Sequence, residues 1–338
     1  MFRIAVDAMG GDFAPKEQIA GAMMAIRNIP DIEIILYGDE QVIRPLLTNP
    51  ERISIVHAPF VIPMGEKNPI QAIKSNKDTS SMARALQSLR NEEADAVVSS
   101  GATQALIAGA HILVRRMQGF KRTAIAPVIP SVSGKPTILL DSGANISIKP
   151  EFMLQQAYFA KIYAEEILNV ENPRVGLINI GTEPGKGREL DHEAYALFSS
   201  TDLFEFYGNV EPKEILDPPC DILISDGFTA NIVMKTIEGT AKGMGKLLKK
   251  HLTSTFFGKI GALLAKKNLN DFKKSISAEE IGGAVIYGLY KPVIKAQGAS
   301  KEFGFYNGIR QAANICRTGV FEKVKQYLDT NQKEFEDE

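Results

Sequence analysis

The chain has 338 residues, 44% of them hydrophobic, and balances 39 Lys and Arg against 40 Asp and Glu for a formal net charge of −1. That length accommodates one large α/β unit or two smaller domains. The charge balance excludes a globally basic nucleic-acid binder, and no apolar run is long enough to span a bilayer.

The N-terminal "MFRIAVDAMGGD" opens directly on a strand and a glycine turn, so no signal peptide is expected before it. Strands are predicted over 3–8, 33–38, 53–58, 94–100, 123–130, 136–143, 174–180, 203–210 and 220–226, each a short apolar run bounded by turn residues. Between them, "KEQIAGAMMAIRNI", "DTSSMARALQSLRNE" and "PEFMLQQAYFAKIYAEEIL" repeat apolar residues at the spacing of one helix face. Strands alternating with helices predict an α/β fold, a mostly parallel sheet covered on both sides. We expect residues 1–330 to form one α/β/α unit, with two intertwined subdomains as the alternative. The acidic "NQKEFEDE" at 331–338 reads as a frayed tail.

Residues 239–280 break the alternation. They carry helical periodicity without a strand, and nine lysines from Lys242 to Lys274 against the single acid Asp271 before Glu279. A protruding helical hairpin is predicted there. Its tip would place Phe256, Phe257, Ile260, Leu263 and Leu264 on an anionic membrane surface; the competing reading is a dimer interface with a solvated lysine face.

In parallel sheets, ligands sit beyond the carboxyl ends of the strands. Four small-residue turns occupy such positions here. "DAMGGD" supplies Asp7, Gly10, Gly11 and Asp12, and "SSGAT" supplies Ser100, Gly101 and Thr103. "NIGTEPGKG" supplies Gly181, Thr182, Gly185, Lys186 and Gly187, and "SDGFTAN" supplies Asp226, Gly227, Thr229 and Asn231. A helix N-terminus with small residues presents free N–H groups to an anion. The third turn is not a nucleotide-hydrolysing loop. Three residues rather than four separate Gly181 from Gly185, and Gly187 stands where a magnesium-binding hydroxyl is required. What remains suits a small oxyanion or a developing charge on a carbonyl. "DAMGGD" is not a dinucleotide fingerprint. No GxSxG elbow offers an acyl-enzyme nucleophile, so attack by bound phosphate itself is compatible with these residues. The two cysteines, Cys220 and Cys316, form no disulfide framework and suit a reducing cytoplasm. The four histidines show no metal-binding spacing. No cofactor and no metal are expected.

The motifs "IAVDAMGGD" (4–12), "DTSSMARAL" (78–86), "EADAVVSSG" (93–101), "LLDSGAN" (139–145, with Asp141 and Asn145), "VGLINIGTEPGKG" (175–187), "DILISDGFTANIVMKTIEG" (221–239) and "PVIKAQGAS" (292–300) occur in one order along nearly the whole chain. Together they resemble the bacterial phosphate acyltransferases of phospholipid synthesis. The resemblance implies a fold similar to phosphotransacetylases and isopropylmalate dehydrogenases. It also implies a homodimer with acyl-acyl-carrier protein and inorganic phosphate as substrates, no nucleic acid, and delivery to a membrane-bound acyl-phosphate:glycerol-3-phosphate acyltransferase. The expected location is cytoplasmic, peripheral to the inner face of the membrane. Lys186 is assigned to phosphate or the developing oxyanion, and Asn231 to orientation. Asp226 is assigned to positioning Lys186 or a phosphate proton, with a helix N-cap as the equal alternative. Backbone N–H groups of Gly101, Gly181 and Gly227 would complete the cradle. Ala102, Gln104, Ala230 and Gln297 depart from the family's usual residues. A non-catalytic membrane scaffold and a decarboxylating dehydrogenase on the same fold are the alternatives in other classes.

Overall fold

A computed structural model describes residues 1–48, 51–275 and 282–330. In chain order the chain forms β1 (Phe2–Asp7), α1 (Lys16–Asn28), β2 (Ile32–Gly38), α2 (Glu40–Ile43), β3 (Ile53–His57), α3 (Pro69–Ser75), α4 (Ser81–Arg90), β4 (Ala96–Ser99) and α5 (Thr103–Gly109). There follow β5 (Ala124–Ala126), β6 (Val128–Ile129), β7 (Thr137–Leu140), α6 (Pro150–Ile167), β8 (Arg174–Ile178), α7 (Glu189–Ser200), β9 (Glu205–Val210) and β10 (Ile222–Ile224). The remainder is α8 (Gly227–Leu252), α9 (Phe256–Leu264), α10 (Lys266–Ser275), β11 (Ala284–Tyr287), β12 (Val293–Lys295), α11 (Glu302–Thr318) and α12 (Val320–Thr330).

The strands divide into two sheets, of order β3-β2-β1-β4-β12-β11-β5 and β6-β7-β10-β8-β9. Every pairing is parallel except those of β11 with β12 and β5, and of β6 with β7. The predicted strand over 123–130 is two strands, because Pro127 has no N–H for the ladder and interrupts it. β5 before it closes the edge of the larger sheet, and β6 after it closes the edge of the smaller one. The chain then builds the smaller sheet and returns to the larger one through β11 and β12. The sequence reading assigned no strand to either of these. β12 has three residues yet lies inside the sheet, parallel to β4.

α6 is buried on most of its surface, which explains its weakly one-sided pattern. Its Phe159 stacks on Tyr287 of β11 at 4.3 Å between centroids and meets Phe321 of α12 edge-on at 5.1 Å. Buried aromatic pairs of this kind contribute about 0.5–1.5 kcal/mol beyond their burial. On the opposite face of the larger sheet, α3, α4 and α5 cover Ala5, Tyr37, Val97 and Val293.

α8 buries only Gly227 and Ala230, so it leaves the body after its first turn. α9 buries none of its residues, and Phe257 and Leu264 are 83% and 82% exposed. Of the predicted hairpin at 239–280, residues 276–280 lie outside the described residues, as does the predicted tail at 331–338. No helix among the described residues is long and apolar enough to cross a membrane.

Candidate active site

The predicted turns collect at the carboxyl ends of the two sheets. In the larger sheet Asp7, Ser99 and Lys295 stand in one register row across β1, β4 and β12. Asp7 is buried and accepts from Ser81 Oγ and Ser99 Oγ, each at 2.6 Å. Burial pushes its carboxyl above the usual range, and these neutral donors offset that only in part. Gly10 packs against it so closely that a Cβ there would lie 2.4 Å from Asp7 Oδ2. The turns are knotted together: Ser100 Oγ donates to the Gly10 carbonyl at 2.7 Å, and Gln18 Nε2 donates to Ser100 Oγ at 3.0 Å. The Asp12 N–H donates to the Gly298 carbonyl at 2.9 Å. Gly11 lies in this knot with a positive φ, while the Asp12 carboxylate and Thr103 are exposed.

In the smaller sheet Asp226 caps α8, accepting from the N–H groups of Phe228 and Thr229 and from Thr229 Oγ1. Arg188 Nη2 donates to Asp226 Oδ2 at 2.6 Å and to Asp191 at 2.9 Å. Burial pushes the Asp226 carboxyl up, but the Thr229 backbone N–H, then the Arg188 guanidinium and the Thr229 hydroxyl, outweigh it and hold Asp226 below the usual carboxylate range. Gly187, at φ +97°, turns the loop where a Cβ would sit 2.6 Å from Asn179 Oδ1. Asn179 Nδ2 donates to the Lys186 carbonyl at 2.9 Å. The Lys186 ammonium is exposed and makes no ion pair among the described residues. Thr182 and Gly185 lie exposed on the same loop, with Gly181 buried at its start. Asn231 is half-buried and its Nδ2 donates to the Ser142 carbonyl at 2.8 Å, tying α8 to the turn after β7. That turn is organised by Asp141, which accepts from the N–H groups of Gly143, Ala144 and Asn145 and from Asn145 Nδ2.

The geometry corrects three expectations. The N–H of Gly101 donates to Ser99 Oγ at 3.1 Å and that of Gly227 to the Asn145 carbonyl at 2.7 Å, so neither is an open donor. The hydroxyls of Ser100 and Thr229 are likewise committed inside the protein. Asp226 pairs with Arg188 rather than Lys186, two residues away on the same loop, because the guanidinium alone reaches both Asp191 and the helix start.

Two cations escaped the sequence reading. Arg188 follows the glycine turn directly and could have been found by reading "GKGREL" one residue further. Lys295 sits in the quoted "PVIKAQGAS", on a strand too short to show alternation. No cluster of three metal-binding side chains occurs among the described residues.

A family model described as "Fatty acid synthesis protein" matches residues 2–323. A phosphate acyltransferase of Acholeplasma laidlawii is 49% identical over 330 residues, covering 97% of this chain and 98% of the relative. The chain belongs to this family, and it is an acyltransferase. The phosphate acyltransferase of Bacillus pumilus is 44% identical over 324 residues, covering 96% and 97% of the two chains. Among solved structures, the EutD phosphotransacetylase of Staphylococcus aureus superimposes with a TM-score of 0.56 at 13% identity, covering 93% of this chain and 94% of that one. A phosphotransacetylase of Streptococcus pyogenes gives a TM-score of 0.56 at 16% identity, with 95% and 94% covered. At these identities the likeness shows a shared fold. The family description and the relatives' names place this acyltransferase in lipid synthesis.

Proposed function

We propose that the chain reversibly transfers a long-chain fatty acyl group from acyl-acyl-carrier protein to inorganic phosphate, forming acyl phosphate for phospholipid synthesis. A phosphate oxygen attacks the thioester carbon and a C–O bond forms. The tetrahedral oxyanion then collapses, the C–S bond breaks, and the carrier thiolate leaves and takes up a proton. Lys186 stabilises the phosphate or the oxyanion, and Asn231 orients it. Asp226 and Arg188 position the lysine loop against α8.

The observation that carries this reading is the Lys186 ammonium, without an ion pair among the described residues, on a glycine turn fixed to the start of α8, one helical turn before Asn231. Direct attack is supported further by the cysteines: burial pushes both thiols up to about 12, so neither is a thiolate nucleophile at neutral pH. The test mixes the purified protein with palmitoyl-carrier protein and phosphate and traps acyl phosphate with hydroxylamine. A hydroxamate that requires both enzyme and phosphate is expected; no product over several acyl lengths would overturn the reading.

The exposed faces support a working arrangement. Met244, Leu247 and Leu248 on α8 are exposed, and we assign that face to a homodimer contact. Phe256, Phe257, Ile260, Leu263 and Leu264 at the tip, beside Lys259, Lys266 and Lys267, would dip into the inner face of the membrane, from which a membrane-bound acyl-phosphate:glycerol-3-phosphate acyltransferase takes the product. Each lysine near an anionic surface contributes about 1 kcal/mol. Pelleting with anionic vesicles at low salt, lost on Phe257→Ser with Leu264→Ser, is the expected result.

A further inference from the structure

We propose that Lys295, with Lys235 of α8 as its second cation, holds the phosphate in the acyltransfer site. The inference rests on the phosphate-transfer reading and names residues that reading did not use.

The first support is register. Ala5, Val97 and Val293 lie side by side on β1, β4 and β12 and pack under the α3–α5 layer. Two residues on, the same face carries Asp7, Ser99 and Lys295. A buried apolar stripe thus turns polar at the carboxyl edge, where this class of sheet binds ligands. The backbone around the lysine is fixed: the Ala296 N–H donates to the Ser99 carbonyl at 2.9 Å, and the Gly298 carbonyl accepts from Asp12.

The second support is hydrogen-bond accounting. The Lys295 ammonium donates to the Ala296 carbonyl at 2.5 Å and forms no ion pair among the described residues. An ammonium has three protons, so two lack a protein acceptor there. Asp7, its neighbour in the charge field, is already engaged by Ser81 and Ser99.

The third support is the charge that faces it. Burial lowers the lysine to about 8; Asp7 and Asp12 pull it up and Lys235 of α8 pushes it down. Lys235 stands four residues after Asn231 on the same helix face, where its exposed ammonium pairs with Glu238 at 2.9 Å, so it would have to leave that surface pair to share the phosphate. The charge of Lys235 disfavours the Lys295 ammonium; an anion bound at Lys295 would offset that, and phosphate is the anion this reaction requires. Binding would restore the proton affinity of Lys295, so phosphate entering at pH 8 would draw a proton from the buffer.

The experiment uses the full-length enzyme and inorganic phosphate. Phosphate is titrated calorimetrically at pH 8 in two buffers of different ionisation heat, and phosphate and thioester KM values are measured in the hydroxylamine assay. Wild type should take up a proton on binding. Lys295→Met should abolish that uptake and raise the phosphate KM about ten- to hundredfold, a typical cost of one charge-assisted contact, with the thioester KM changed less than about twofold. Lys295→Arg should recover part of the affinity. Unchanged phosphate KM and unchanged proton uptake in Lys295→Met would overturn the assignment, as would equal changes in both KM values. Should Lys295→Met fail to fold, Lys235→Gln on its exposed helix face decides: a raised phosphate KM supports the pair, and an unchanged one overturns it. Lys295-dependent phosphate binding without any acyl phosphate would sink the transfer reading and leave this site standing.

Discussion

Asp7 and Asp226 occupy equivalent places, each at or just beyond the carboxyl end of a parallel strand and each buried, yet their proton affinities move in opposite directions. Asp7 meets hydroxyls and backbone donors and is still raised. Asp226 meets similar donors and also the Arg188 guanidinium and the start of a helix, and is lowered. Neutral hydrogen bonds replace water incompletely, whereas a cation at 2.6 Å stabilises the charge itself. The two clusters therefore have different tasks. The smaller sheet's charges are locked into a frame that holds a loop, whereas in the larger sheet Lys295 and Asp7 stand in one register row with Ser99 between them and form no ion pair among the described residues.

The sharpest test of that division is activity. Lys186→Ala and Asn231→Ala should each lower kcat/KM by about 2.7–4 kcal/mol of transition-state stabilisation, while the midpoint of urea unfolding stays close to wild type for the exposed lysine. If Lys186→Ala lost stability instead of rate, the loop lysine would belong to the frame.

Arg188→Met should break the frame. It leaves the Asp226 carboxylate, whose side chain is 2% exposed, without its cation. Breaking a buried pair costs about 3–5 kcal/mol, reduced here to about 2–3 because the arginine is half-exposed. Urea unfolding at pH 7 reads the loss directly.

The sequence made the fold class and the turns legible because both rest on local patterns: apolar runs, glycines and helix starts. It did not show what each turn residue does, because Gly227 and Ser100 donate to partners far along the chain, out of reach of any local pattern, while the Gly101 N–H turns back on Ser99, whose hydroxyl is held by the distant Asp7. Pro127 was visible, but the strand it divides was read as one, since the change of sheet depends on tertiary pairing. β12 was missed for the opposite reason. Three residues carry too little periodicity, and burial within the sheet rather than propensity makes them a strand.

The paired carboxylates can be compared by pH. Asp226→Asn should cost about 1–3 kcal/mol at pH 7, and less as pH falls. The lowered carboxylate contributes stability that is present above 3.8 and lost as pH drops through its folded value. Asp7→Asn should behave inversely. The raised carboxyl stabilises the fold only when protonated, so wild type gains stability as pH falls through its folded value toward 3.8, and the variant's deficit of about 1–2 kcal/mol widens there. Parallel pH slopes for the two variants would remove the distinction between the clusters.

The smallest effect concerns Lys295, and its sign carries the argument. Its folded value of about 8 lies below the ordinary 10.5, so the unfolded chain binds the extra proton between those values and wild-type stability rises with pH across that window. Below 8 the cost of burying the ammonium is complete. Lys295→Met should therefore be more stable than wild type at pH 7, on the order of 1 kcal/mol once solvent screening is allowed for, with the gain fading toward pH 10. A lysine kept for the fold would give the reverse, a less stable variant at every pH. A lysine that costs stability while the enzyme is empty, and binds phosphate when it is full, is what a functional site built at the expense of the fold requires.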